Sequence, residues 1–320
     1  MKKILLVRLS SLGDVLHTFP AVTDLRRALR DAALDWVVEE AYAPLVGMHP
    51  GVRRAIPFAL RRWRSEFLGP SAWRELATFR ASLREDAYDA VVDVQGLVKS
   101  AYVANLARGP LHGYGPVTAR EKLAARFYDF THEIPRAEQS VQRYRSLLGR
   151  AVGYIPEGPI DYGIVPPPAP AFAPQERYCV LLHSTARAEK LWREEAWVEV
   201  GRALEARGLV CVLPWGDAAE RRRAGRLAAS LTHAVVPPRM SLEDAAGLIG
   251  TASVVVGLDT GLMHLAVALR VPVVGIYCSS EPSRTGPLGT GPIVVRGAPG
   301  RAPTAAEVLD GLGAVAPSLA

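Results

Sequence analysis

The stretch Ala252-Ser253-Val254-Val255-Val256-Gly257-Leu258-Asp259-Thr260-Gly261-Leu262-Met263-His264-Leu265-Ala266-Val267-Ala268-Leu269 decides the fold. Its first seven residues form an apolar, β-branched run of the length of a buried strand, and residues 261–269 read as a helix. The strand ends at a carboxylate, a hydroxyl and a glycine, and the helix starts there. Free backbone N–H groups and the positive end of a helix dipole then meet at a strand end, where phosphates bind. The chain has no GxGxxG and no P-loop, so a nucleotide site here takes another form.

The same strand-then-helix alternation extends in both directions. Upstream, residues 4–9, 34–38 and 90–94 read as strands, and 15–29 and 73–84 as helices. Residues 152–164 are irregular, and 165–174 (VPPPAPAFAP) form a stiff, extended, Pro-rich segment. Alternation then restarts, with strands at 178–182, 210–213, 234–236, 253–258 and 273–277. Helices are expected at 195–206, 218–229, 242–249 and 261–269. Continuous apolar strands separated by amphipathic helices imply parallel sheets covered on both faces. The expected fold class is α/β, with two doubly wound Rossmann-like domains facing a central cleft. Their expected bounds are 1–165 and 175–303, with 166–174 as linker.

Bulk properties agree with two domains. The 320 residues are 49% hydrophobic and 22% charged, ordinary for a globular chain. The net charge of +6 is uneven: residues 1–165 hold 23 Lys/Arg against 18 Asp/Glu, and 166–320 hold 15 against 14. Within the first half, residues 53–84 carry eight arginines against Glu66 and Glu75. That excess implies an acidic partner: phosphate, anionic lipid or nucleic acid. No nucleic-acid-binding module is present, so no nucleic-acid partner is expected. Cys179, Cys211 and Cys278 read as buried thiols in a reducing compartment. The apolar start is broken by Arg8 too early for a signal peptide, and no run reaches the roughly 18 apolar residues of a spanning helix. A cytoplasmic protein that touches a membrane surface is expected. DxD, HExxH, CxxC and GxSxG are all absent, which leaves that type of metal-nucleotide site, zinc hydrolysis and elbow-type serine catalysis without support.

Five stretches carry candidate chemistry. Ser10-Ser11-Leu12-Gly13-Asp14 follows the first strand and opens a helix. Asp14 there is either a general base or, with Ser11, a plain helix cap. His17, one turn on, reads as a packed histidine. His183 to Trp192, with Ser184, Thr185 and Lys190, follows the first strand of the second domain. Its hydroxyls and ammonium suit a diphosphate, while a solvated loop is the competing reading. Leu213 to Glu220 again joins a strand to a helix. Glu220 suits paired ribose hydroxyls, or merely complements the helix dipole. At Asp259 to His264, Thr260 and Gly261 offer backbone N–H groups and His264 a side chain for phosphate. Asp259 needs a cation or sugar hydroxyls beside it, and the competing reading is an Asp/Thr helix cap with His264 packed. Arg61-Arg62-Trp63-Arg64 suits a phosphorylated lipid headgroup, with Lys99 and Arg120 as further candidates, while a solvated basic face is the competing reading and prevails if the stretch stands alone.

Taken together, VRLSSLGDVLHTFPAVTDLR, DWVVEEAY, IPFALRRWR, YDAVVDVQGLVKSA, LPWGDAAE, MSLEDAAGLI and GLDTGLMHLAVAL closely resemble the lipopolysaccharide heptosyltransferases of the inverting glycosyltransferase family 9, with the GT-B fold. The resemblance runs from Lys2 to about Gly300. DWVVEE, RRWR and VQGLVKSA point to the first heptosyltransferase over the second. It implies transfer of heptose from ADP-L-glycero-β-D-manno-heptose to Kdo2-lipid A in the synthesis of the inner core. By motif, Asp14 becomes the general base. Ser184, Thr185, Lys190, Glu220, Met240, Asp259, Thr260, Gly261 and His264 would line the donor site. Lys190 would neutralise the diphosphate, Glu220 hold the ribose and Asp259 the heptose. Arg61, Arg62, Trp63, Lys99 and Arg120 would meet the acceptor. No cofactor or metal is expected, and a monomer lying on the cytoplasmic face of the inner membrane is. Where the family often has two adjacent threonines, this chain has Thr185 then Ala186, so one hydroxyl contact is lost or passes to Ser184. Loop 278–289 also differs, which bears on the adenine contacts. Residues 304–320 would return to the N-terminal domain, as GT-B chains often do. The alternatives are the second heptosyltransferase and a non-catalytic module binding anionic lipid or nucleotide.

Overall fold

The computed structural model describes residues 2–65, 69–185, 187–282 and 286–319. The side chains of Arg61, Arg64, Ser65 and Pro70 lie outside the described set. The chain divides into two compact units, Met1–Ile164 and Val165–Ala320.

In the first unit the strands are β1 (Lys3–Val7), β2 (Ala33–Glu39), β3 (Val52–Phe58), β4 (Ala90–Asp93), β5 (Leu111–Tyr114) and β6 (Phe130–His132). The helices are α1 (Leu12–Leu16), α2 (Phe19–Ala28), α3 (Ala43–Gly47), α4 (Leu60–Ser65), α5 (Pro70–Arg84), α6 (Val98–Ala104) and α7 (Ser140–Val152). The second unit has β7 (Tyr178–Leu182), β8 (Val210–Val212), β9 (Ala234–Val235), β10 (Val254–Leu258), β11 (Val273–Tyr277) and β12 (Ile293–Gly297). Its described helices are α8 (Glu194–Glu205), α9 (Ala218–Ala228), α10 (Leu242–Gly250), α11 (Gly261–Ala268) and α12 (Ala305–Val315).

Every strand pairing is parallel. The first sheet runs β3-β2-β1-β4-β5-β6 and the second β9-β8-β7-β10-β11-β12. The two orders are the same doubly wound order, so each sheet reverses direction beside its first strand. The central strands β1, β7, β10 and β11 are buried almost throughout, which matches their unbroken apolar sequence.

Several elements differ from the sequence expectation. The helix expected over 15–29 is two helices. Pro20 has no N–H to donate, so the chain breaks at Thr18 and restarts with proline in the first turn of α2. The strand β3 was hidden by Arg53, Arg54 and Pro57, residues suited to the sheet edge it occupies. The Pro-rich segment is no free spacer. A Cβ at Gly247 would collide with the Pro168 carbonyl and one at Gly250 would crowd Pro166, so the segment lies along α10. Residues 304–320, expected to return to the N-terminal domain, group with the second unit. Val308, Leu312 and Val315 of α12 sit in one core cluster with Leu181, Trp197 and Val274. The Trp192 indole donates to the Pro303 carbonyl at 2.8 Å and anchors the segment to the second unit.

Candidate functional site

In the first unit, direction reverses between β1 and β4, and the loops after these strands are tied together. Gln95 Oε1 accepts from the Leu9 N–H at 2.8 Å. Behind it the fully buried Asp93 accepts from the amides of Gln95 and Gly96, from Ser100 Oγ and from Tyr128 Oη. Burial raises its carboxyl above the ordinary range, against the pull of those four donors.

Asp14 lies in the loop after β1, in the first turn of α1. Its Oδ2 accepts from the Ser11 amide and hydroxyl, both at 3.2 Å, which is the capping arrangement. Its Oδ1 does something a cap does not need. The Arg8 guanidinium, only 2% exposed, ion-pairs with it at 2.6 Å, and Tyr144 Oη donates to it at 3.2 Å. Arg8 is itself fixed: it donates to Tyr144 Oη and the Val94 carbonyl, and lies 4.7 Å from the Tyr144 ring centre. Burial alone would raise the Asp14 carboxyl. The Arg8 charge and the Ser11 bonds outweigh it and hold the carboxyl below its ordinary value. His17 is half-buried and its charge acts on Asp14 in the same direction. Asp14 is therefore both cap and ionised, oriented carboxylate. Arg8 and Tyr144 were not among the sequence candidates. Arg8 at the last turn-off of a strand was a legible signal; Tyr144, 130 residues downstream, was not.

The second unit reverses between β7 and β10, and most donor candidates gather there. Lys190 Nζ donates to Asp259 Oδ2 at 2.6 Å, Ser280 Oγ donates to the same oxygen at 2.6 Å, and His264 Nε2 lies 3.5 Å from Oδ1. Asp259 is 8% exposed and His264 6% at the side chain. Burial would raise the Asp259 carboxyl, but His264, Lys190 and Ser280 drive it well below the carboxylate range. The cation that Asp259 requires is thus Lys190, one of whose three N–H groups is given to it. Thr260 is the N-cap residue of α11, but its side chain makes no capping bond. That leaves its hydroxyl and the first-turn amides at Gly261 facing the strand end. Ser280 was missed, because it follows β11 in a loop without a motif.

Ser184 Oγ bonds the Nδ1 of buried His183 at 2.8 Å, and Thr185 is half-buried beside it. Ala186 and residues 283–285, where the altered hydroxyl pattern and part of the variable loop fall, lie outside the described residues. Glu220 Oε2 accepts from the Gly216 amide at 2.6 Å, at the start of α9, where Asp217 caps the amides of Ala219 and Glu220. Its carboxylate thus shapes the loop after β8 with one oxygen. Met240, half-buried, immediately precedes the Ser241 cap of α10.

The expected acceptor cluster does not survive intact. Trp63 is 8% exposed, packs edge-on against Phe58 and donates its indole N–H to Glu75. It is core. Arg62 pairs with Glu40 at 3.0 Å and Glu75 at 2.8 Å. Arg53 and Arg54 pair with Asp35, and also with Asp86 and Glu85. Three of the eight arginines of residues 53–84 are thus paired with acids that include Asp35, Glu40, Glu85 and Asp86 from outside the stretch, which a local charge count could not see. The Arg61 side chain lies outside the described residues, while Lys99 and Arg120 are exposed. Among the described residues no group of three or more His, Cys, Asp or Glu could hold a metal ion.

Comparison with known proteins supplies the rest. The model of glycosyltransferase family 9 (heptosyltransferase) matches residues 76–308. Lipopolysaccharide heptosyltransferase 1 of Pseudomonas aeruginosa is 43% identical over 90% of this chain and 81% of its own length. The protein of the same name from Escherichia coli K12 is 42% identical over 92% of this chain and 93% of its own. The structure of E. coli heptosyltransferase WaaC with ADP superposes with a TM-score of 0.89 at 40% identity, covering 96% of this chain and 98% of that one. The chain belongs to glycosyltransferase family 9, the heptosyltransferases.

Proposed function

We propose that this enzyme transfers L-glycero-D-manno-heptose, with inversion, from ADP-heptose to Kdo2-lipid A, as the first heptosyltransferase of the lipopolysaccharide inner core. The observation that carries the reading is Asp14, ionised and aimed by a buried arginine at the reversal point of the first sheet. Asp14 accepts the proton of the acceptor hydroxyl as its oxygen attacks the anomeric carbon. The bond to the diphosphate breaks and its electron pair leaves with ADP. A carboxylate held below its ordinary pKa is a weak base. It therefore takes the proton late, when bonding to the anomeric carbon has already made the hydroxyl acidic. Lys190 and the first-turn amides of α11 meet the charge that develops on the leaving diphosphate. Asp259, with His264 and Ser280 around it, holds heptose hydroxyls. Glu220 holds the ribose, and Ser184, Thr185 and Met240 complete the donor site. Arg61, Lys99 and Arg120 attract the acceptor's anionic groups. Transfer needs no metal in this reading, since Lys190 supplies the charge, and it takes place on the cytoplasmic face of the inner membrane.

The test is ADP release that depends on both ADP-heptose and a Kdo-bearing lipid A. Preference for an acceptor that already carries one heptose would reassign the chain as a second heptosyltransferase. Donor or lipid binding with no release would make it a binding module.

A further inference from the structure

The first unit holds an apolar cavity that Asp14 does not line. It measures about 780 Å³ and opens between α5 and α6, within the usual range of about 300–1,000 Å³ for small-molecule sites. Trp63, Leu76, Val103 and Phe127 line it, as do Trp73 of α5 and Tyr102 of α6. Trp73 is 62% exposed and Tyr102 57%. Two large aromatics exposed at the mouth of an apolar cavity are at odds with a surface that faces only water. Tryptophan and tyrosine in this half-wet state are the side chains that settle at the boundary between lipid headgroups and acyl chains.

The charge around the cavity agrees with a negatively charged surface. Residues 70–84 and 98–130, which carry α5, α6 and the turn of 3-10 helix Lys122–Phe127, hold eight Lys/Arg against three Asp/Glu. Lys99 lines the cavity itself, and Arg120, Lys122 and Arg126 are exposed on the neighbouring segment. None of these four makes an ion pair among the described residues, unlike Arg53, Arg54 and Arg62. Leu123, between two of them, is 58% exposed. Basic side chains interleaved with exposed apolar ones fit an anionic bilayer better than a protein partner, whose contact surface is depleted in lysine. No described helix is long and apolar enough to cross a membrane.

We propose that the α5–α6 face docks on an anionic lipid bilayer and that its cavity takes in one lipid acyl chain. Trp73 and Tyr102 sit at headgroup depth, and Lys99, Arg120, Lys122 and Arg126 meet the lipid phosphates. The proposal rests on the lipid-acceptor reading for its place in the reaction. Its test does not depend on turnover.

The full chain is sedimented with phosphatidylcholine vesicles, with and without one part in three phosphatidylglycerol. Binding is expected to the anionic vesicles, weakening as salt rises, with each basic residue contributing about fivefold in affinity. The exposed double variant Trp73→Ala/Tyr102→Ala should bind at least about tenfold more weakly at unchanged thermal stability. Trp63, in the cavity wall, reports on the chain. In Trp73→Phe protein, vesicles with brominated acyl chains should quench emission that the further change Trp63→Phe removes. Equal binding to neutral vesicles, or a double variant that binds like wild type, overturns the docking face. Binding without quenching of Trp63 overturns entry of the chain. Absence of heptose transfer to Kdo2-lipid A itself, with vesicle binding intact, would instead remove the acceptor reading and leave this surface standing.

Discussion

Asp14 concentrates three forces on one carboxylate: burial that opposes its charge, and the Arg8 and Ser11 contacts that restore it. If it is the base, Asp14→Asn should lower kcat by about 10²- to 10⁴-fold while ADP binding stays intact, as measured by calorimetry. The direction of its pKa also sets a pH dependence. A base with a depressed pKa keeps its active, ionised form above that value and loses it only as pH falls through it. The acid limb of kcat should therefore lie below the ordinary carboxylate pKa of about 3.9. Removing the charge with Arg8→Met leaves burial opposed only by Ser11 and His17, so the limb should move up. Tyr144→Phe, a milder change, should move it less in the same direction. A limb that stays in place in both variants would detach Arg8 from the base. In the second unit, Lys190→Ala strips the buried Asp259 of its ammonium. The variant should bind ADP at least about tenfold more weakly, or 1.4 kcal/mol. It should also lose roughly 1.5–3 kcal/mol of stability, the usual worth of a hydrogen bond to a charged group.

At the scale of elements, the site loops are held by buried polar groups rather than by caps alone. Asp93 ties four donors behind the β4 loop, so Asp93→Ala would strand two buried amides at about 1–3 kcal/mol each. Denaturant unfolding should show that loss, and kcat should fall with it because the Gln95 link to Leu9 loosens. This scale also separates what was legible in the sequence from what was not. Central strands such as β7, β10 and β11 were readable because burial on both faces forces an unbroken apolar run. The edge strand β3 was not, since an edge tolerates arginine and proline. The motif residues Asp14, Lys190, Asp259 and His264 were readable because they sit where a strand ends. Ser280 and Tyr144 were not, since only the fold brings them there. Trp63 and Arg62 misled for the same reason: Glu40 and Glu75, which neutralise Arg62, come from other elements.

At the scale of the whole molecule, the α/β class read from the sequence holds as two six-stranded parallel units of one strand order. Each unit contains a buried histidine forced neutral. Burial, followed by the nearby arginines Arg26 and Arg223, depresses His49 and His183 to about 4. A histidine whose folded pKa is depressed binds its proton more readily when unfolded. Stability should therefore be constant above about pH 6.5 and fall below it by roughly 1.4 kcal/mol per pH unit for each histidine, until pH nears 4. His183→Gln should remove the share of that slope that His183 contributes in thermal scans. Because α12 packs on the second unit, the segment 165–320 holds its own core and every residue proposed for the donor site. Expressed alone it should fold and bind ADP. A segment that is unfolded, or folded but blind to ADP, would contradict the assignment of the donor site to this unit.

The central claim is tested most directly by following ADP release with ADP-heptose and Kdo2-lipid A, for the wild type and Asp14→Asn side by side. The account predicts release by the wild type only when both substrates are present, and near-complete loss in the variant. No release by the wild type, or release that survives in Asp14→Asn, would contradict it.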